Sequence, residues 1–385
     1  MSEFYTAPIL ASSRVPGDLV RMRPTFAPQL AGAAAAWQIL YVSTNSRGEL
    51  ITASGTVILP DPHPDPAEYD GDSRPGAGAL LVYYPVFHGF GGRSASQMLA
   101  VGEEADSVQI SAALEQGWVV AVPDGEGLGV TGLGPHTFLA ARAGGQIVLD
   151  LARAAQFVPD LDTDDREEPW MPVVAWGYAD GGRAVAAAGE LQQRYAPGLD
   201  LRGICAGAVA SDVAALAPAV SAGPCAGLGL AALIGLSAAY PHLRLRHVLN
   251  EDGLRAVTDA QTLTASELFE RYPQPLSHWC VRTDPWNDMM WRHVLAYECL
   301  AHTAPAVPLH LYHGHTDPIV SVRAGLRTLI AYRQRGATVT WREYDSGHAG
   351  TAREAITDVL ARLADNLTLV STPGPVISPT PSVHP

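Results

Sequence analysis

From Val173 to Gly182 the chain reads Val-Val-Ala-Trp-Gly-Tyr-Ala-Asp-Gly-Gly, an apolar run, a glycine, and then the start of a helical pattern. Glycines two residues before and two after Ala179 describe a strand-to-helix turn so tight that only glycine fits at the flanking positions. Such a turn lifts its central side chain above the carboxyl end of a sheet, where a serine would attack a carbonyl carbon. The central residue here is Ala179, which has no nucleophilic atom. Three readings follow: an enzyme disabled by replacement of its serine, a non-catalytic binding protein, or a nucleophile shifted to Asp180. The last would put Tyr178 where the turn needs a small residue. An intact acid and histidine elsewhere in the chain favour the first.

Those two partners have places to be sought. In chains built on this turn the order is nucleophile, acid, histidine. Asp317, in Gly314-His315-Thr316-Asp317-Pro318 after the apolar run Val307–Tyr312, stands where the acid belongs. The bland alternative is an aspartate that caps a turn before proline. His348, in Asp345-Ser346-Gly347-His348 at the opening of the last helix, stands where the base belongs. Asp345 is a weaker rival acid, too near in sequence to orient His348 freely. The developing oxyanion needs two backbone N–H donors. Asp180 should supply one. Gly89 or Phe90, in Phe87-His88-Gly89-Phe90-Gly91-Gly92, should supply the other, with His88 and Tyr178 beside them touching substrate.

Six short runs read as the strands that position these residues: Leu80–Pro85, Trp118–Pro123, Val173–Tyr178, Leu201–Val209, Val307–Tyr312 and Thr338–Tyr344. Helical patterns at Gly145–Ala155, Gly182–Tyr195, Arg323–Arg335 and Thr351–Asn366 alternate with them. Trp37–Thr44 and Thr52–Leu59 read as a hairpin turned at Asn45-Ser46-Arg47-Gly48. Nearly continuous apolar strands alternating with helices predict an α/β fold, a mostly parallel sheet covered on both faces. Residues 1–210 and 304–370 form the expected core. Residues 211–303, where the alternation fails, form an inserted helical cap, and 371–385 a proline-rich extended tail. Trp279, Trp286, Trp291, Met289 and Met290 cluster in the insertion and are expected to line an apolar pocket over residue 179.

The chain resembles an α/β-hydrolase of the secretory-lipase family over most of its length. The resemblance rests on Pro16-Gly17-Asp18-Leu19-Val20-Arg21, Ala113-Leu114-Glu115-Gln116-Gly117-Trp118-Val119-Val120, Pro123-Asp124-Gly125-Glu126-Gly127, the turn at 179 and His313-Gly314-x-x-Asp317. That family's turn reads Gly-Tyr-Ser-x-Gly-Gly, so this sequence departs from it at the atom-supplying residue. The resemblance implies cofactor-free hydrolysis of apolar, lipid-like carboxylic esters. A lactonase for a bulky, macrocyclic aromatic lactone such as a mycotoxin, and a ligand-binding pseudoenzyme, are the alternatives.

Composition removes other classes. All 25 basic residues are arginine, so no lysine Schiff base, P-loop lysine or kinase lysine exists. A net charge of −14 argues against nucleic acid, which needs a basic stripe. The 47% hydrophobic content supports a large core. No stretch reads as a membrane span, and Met1–Arg23 lacks the apolar run of a signal peptide, so a cytoplasmic location is expected, with a secreted mature form as the alternative. A homo-oligomer stays open. Cys205, Cys225, Cys280 and Cys299 lack metal spacing and are disulfide partners or free thiols. His313 and His315 find no third ligand and read as strand-end packing. The acidic run Pro159–Glu168 lacks the glycine and glutamate of a calcium loop. Gly127-x-Gly129-x-x-Gly132 lacks the following helix that a dinucleotide needs. Gly223-x-Cys225-x-Gly227 has no strand before it.

Overall fold

The computed structural model describes residues 3–61, 78–159, 161, 171–217, 225–282 and 284–368. Most of the acidic run at 159–168, residues 223–224 of the cysteine motif and the tail from 371 lie outside them. Nine strands form one sheet: β1 (Leu19–Thr25), β2 (Ala33–Thr44), β3 (Leu50–Pro60), β4 (Leu80–Tyr84), β5 (Val119–Pro123), β6 (Val173–Tyr178), β7 (Leu201–Gly207), β8 (Leu309–Gly314) and β9 (Val339–Tyr344), in spatial order β1-β2-β3-β5-β4-β6-β7-β8-β9. The pairings from β5 through β9 are parallel, and those among β1, β2, β3 and β5 antiparallel.

Every residue of β4, β5 and β6 is buried, as a sheet covered on both faces requires. The β2–β3 hairpin turns where expected: the Asn45 side-chain oxygen accepts the N–H groups of Arg47 and Glu49 (2.9 and 3.0 Å), and Gly48 takes a left-handed φ of 82°. Strand β1 is absent from the sequence reading. It alternates exposed and half-buried residues and holds Pro24, tolerable only because the strand is an edge.

Helices α1 (Ala95–Val101), α2 (Ser107–Leu114), α3 (Ala141–Ala154) and α4 (Asp180–Tyr195) cover the first part of the sheet. On one face α3 and α4 approach closely because Gly145 carries no side chain; a Cβ there would press on the backbone of Ala187 and Ala188. On the other face lie α1, α2 and α12 (Ile356–Thr368), through Leu99, Ile110, Val359 and Leu363. Helix α11 (His348–Glu354) is distinct from α12, so the expected single helix over 351–366 is two. Helix α10 (Val322–Gln334) connects β8 to β9.

Between β7 and β8 the chain forms α5 (Gly227–Ala239), α6 (Glu251–Ala260), α7 (Ala265–Arg271), α8 (Leu276–Trp279) and α9 (Met289–Tyr297). These helices bury a separate apolar cluster that includes Leu233, Leu268 and Trp291. All four cysteines are free thiols.

Candidate active site

The turn after β6 is built by its glycines. A Cβ on Gly177 would overlap the Gly181 carbonyl, and one on Gly181 the Tyr84 carbonyl. Ala179 sits between them at φ 52°, ψ −112°, a strained conformation for a residue with a side chain. Its N–H donates to the Gly207 carbonyl (2.9 Å), and its carbonyl accepts from Arg183 in the first turn of α4 (3.0 Å).

Asp317 follows β8. Its Oδ1 accepts the N–H groups of Ile319 and Val320 (2.8 and 2.9 Å), which leaves Oδ2 facing His348 Nδ1 at 2.6 Å. Burial alone would raise the Asp317 pKa. The hydrogen bond and charge of His348 and the two N–H donors outweigh it, so the carboxyl titrates below its ordinary value. Asp345 does not take this place. The Tyr178 hydroxyl donates to the His348 carbonyl (2.7 Å), and the two rings lie 4.9 Å apart. Asp317 therefore caps its turn and pairs with the histidine at once.

Ala179, Asp180, Tyr178 and His348 line one cavity of about 350 Å³. Its remaining wall is largely apolar: Val86 and Phe87 from the loop after β4, Phe138 and Leu139 before α3, and Leu228, Phe269 and Trp286 from the insertion. The Asp180 carboxyl is pushed up to about 6, chiefly by burial, and its Oδ1 accepts the Leu139 N–H (3.3 Å).

Several expected site residues lie elsewhere. Trp286 is the one expected insertion residue among those lining the cavity. Trp291 is buried in the insertion's own core, and Trp279 packs against that core. Met289 and Met290 face outward, 78% and 42% exposed. Proximity in sequence put five large residues together, but helical geometry turned them in different directions. His88, Gly89 and Phe90 are not among the cavity-lining residues either. The His88 ring lies 3.2 Å from the Glu104 carboxylate. Gly89 forms a bridge with Thr264, and the Phe90 N–H is taken by the Leu263 carbonyl (3.0 Å). Phe90 is thus withdrawn as an oxyanion donor, and Gly89 faces the insertion.

Phe87, Phe138, Leu139, Phe269 and Arg183 were not singled out from sequence. Single aromatic residues scattered over 180 positions carry no local pattern, and Arg183 alone could have been found, three residues beyond Asp180 in the turn's helix. The His313 Nε2–H donates to the Val320 carbonyl (2.7 Å) and lies 3.8 Å from the Asp317 carboxylate, and the ring stacks on Trp341, as strand-end packing. Among the described residues no cluster of three or more His, Cys, Asp or Glu could hold a metal.

A mostly parallel sheet with a glycine-flanked turn after β6, an acid after β8 and a histidine after β9 defines an α/β-hydrolase. Residues 93–368 match the secretory lipase family, and the chain belongs to that family. It is 26% identical over 364 residues to a secreted triacylglycerol lipase of Malassezia furfur, covering 90% of this chain and 72% of that protein. It is 29% identical over 255 residues to a probable trichothecene esterase of Stachybotrys chartarum, covering 63% of this chain and 49% of that protein. The chain thus spans about half the length of that esterase. Candida antarctica lipase A in its closed state superposes with a TM-score of 0.80 at 21% identity, over 95% of this chain and 85% of that one, which establishes the fold. A secretory family with a secreted relative weighs against the cytoplasmic location expected above. Among the described residues no helix is long and apolar enough to cross a membrane.

Proposed function

We propose that the cavity holds an apolar carboxylic ester with its carbonyl carbon over residue 179. The observation that carries this reading is that His348, paired with Asp317 at 2.6 Å, lines the same apolar cavity as the strained turn. The family and its esterase and lipase relatives support ester chemistry, and Leu228, Phe269 and Trp286, which line the cavity from the inserted helices, support reading those helices as the cap of the site.

With a hydroxyl at 179, His348 Nε2 would take its proton as the oxygen attacks, and Asp317 would hold the imidazolium that forms. The N–H of Asp180 would meet the oxyanion. The alkoxide would leave with the proton from His348, and water would release the acid by the same route reversed. Ala179 supplies no such oxygen, so the chain as it stands binds the ester and performs no covalent catalysis. Asp180 is the weaker candidate nucleophile, because that register would put Tyr178 where the turn needs a small residue, and its Oδ1 accepts the Leu139 N–H.

The test is Ala179→Ser, assayed beside the parent on p-nitrophenyl esters, a triglyceride and an aromatic macrolactone. Turnover should rise by on the order of 10⁶, and His348→Ala should abolish the gain. An organophosphonate should phosphonylate the Ala179→Ser protein alone, adding the mass of its phosphonyl group as its leaving group departs with the hydroxyl proton. If that protein folds yet hydrolyses nothing above the parent, the chain is a ligand-binding protein on a hydrolase fold. The macrolactone arm separates an esterase from a lactonase.

A further inference from the structure

We propose that His88, Gly89 and Gly91 are positioning residues that join the loop after β4 to the cap as one piece, so that the cap sets the cavity wall beside residue 179. The proposal rests on the ester-site reading for its activity arm alone. Three backbone hydrogen bonds cross the junction. Ala265 N–H donates to the His88 carbonyl (2.7 Å), and the N–H groups of Phe90 and Gly91 both donate to the Leu263 carbonyl (3.0 and 2.9 Å). Gly89 pairs with Thr264 between them, as in a short antiparallel ladder.

Only glycine permits this approach. A Cβ on Gly91 would overlap the Thr262 carbonyl, and one on Gly89 the Leu263 carbonyl and the amide of Ala265. Gly89 also holds φ at 113°, which side chains rarely adopt.

The base of the loop is fixed to the core. The His88 ring faces the fully buried Glu104 carboxylate at 3.2 Å. The Glu104 backbone is in turn held on both sides by the Gln29 amide (2.6 and 3.2 Å). Asp106 Oδ2 accepts the Val86 N–H (3.2 Å). Val86 and Phe87 on the core side, and Ala265 and Phe269 on the cap side, line the same cavity. The Phe87 ring also stacks on Phe138 at 4.1 Å. Moving the cap therefore either breaks the three backbone bonds or carries Val86 and Phe87 away from residue 179.

Hydrogen exchange on the unaltered chain tests the junction without any variant. Peptides covering 86–92 and 260–268 should open together and at one rate. Persistent protection of 86–92 while 260–268 exchanges would overturn the proposal. In the Ala179→Ser background, Gly91→Ala should lower kcat by at least about 30-fold for p-nitrophenyl acetate, which is too small to need the cap, with little change in KM. Leu233→Ala, in the cap's own core, should lower Tm comparably and spare acetate turnover. A Gly91→Ala effect confined to the KM of long-chain esters would mean an independent lid. If Ala179→Ser is inactive, the ester reading fails, while the exchange experiment still decides the junction.

Discussion

Replacing Asp180 with asparagine separates the electrostatics of the turn from its geometry. The Asp180 carboxyl lies half-buried in the first turn of α4, where it lines the cavity, and loss of solvation is the largest cause of its rise from 3.8 to about 6; Glu298 adds to it, while Arg183 and the Leu139 N–H oppose it. Between about pH 4 and 6 the folded chain therefore binds more protons at this site than the unfolded chain. Its contribution to stability is complete below about pH 4 and is lost as pH rises through about 6. A rise of about two units at ~1.4 kcal/mol each amounts to ~3 kcal/mol. Asparagine keeps an acceptor for the Leu139 N–H and does not titrate. In urea unfolding at pH 4, 5, 6 and 7, the stability of Asp180→Asn relative to the parent should improve by ~3 kcal/mol from the lowest pH to the highest. Taking the difference at each pH cancels groups with the opposite dependence, such as His136 and His310, whose buried rings are pushed down to about 4. A difference that stays flat, or worsens toward neutral pH, would refute the reasoning.

Arg183 donates to the carbonyls of Ala210, Ser211 and Glu298, where the chain leaves for the insertion and where it returns. Arg183→Met leaves buried carbonyls unpaired and should cost about 3 kcal/mol in urea unfolding; a loss under ~1 kcal/mol would mean that water replaces the guanidinium. Trp286→Ala should weaken binding of a non-hydrolysed apolar ester about tenfold by calorimetry, as expected for losing a buried aromatic contact. Met289→Ser, on the exposed side of α9, should leave the same Kd within about twofold, a surface change of a few tenths of a kcal/mol; the reverse order would mean that the insertion is turned the other way.

Much of this was legible in local sequence because its causes are local. A turn that excludes every side chain at two positions writes Gly177 and Gly181 into the chain. Strands buried on both faces write unbroken apolar runs at 80–84, 119–123 and 173–178. The order of the three site positions follows from the strand that precedes each, so Asp317 and His348 could be named before their 2.6 Å contact was seen. The absence of an oxygen at Ala179 is likewise a fact of sequence alone. Edge strand β1 was not legible, because half-buried residues, two arginines and a proline leave no apolar signature.

The cavity was decided only by tertiary structure. Which face of an inserted helix meets the core depends on packing between elements far apart in the chain, and clustering by sequence cannot reveal it. Met289 and Met290 consequently point to solvent, while Phe87, Phe138 and Phe269 converge from three separate segments. The glycines at 89 and 91 illustrate the same limit. Sequence shows that backbone must come close to something there. The Leu263 carbonyl, 172 positions beyond Gly91, is what it comes close to, and only the folded chain brings the two together.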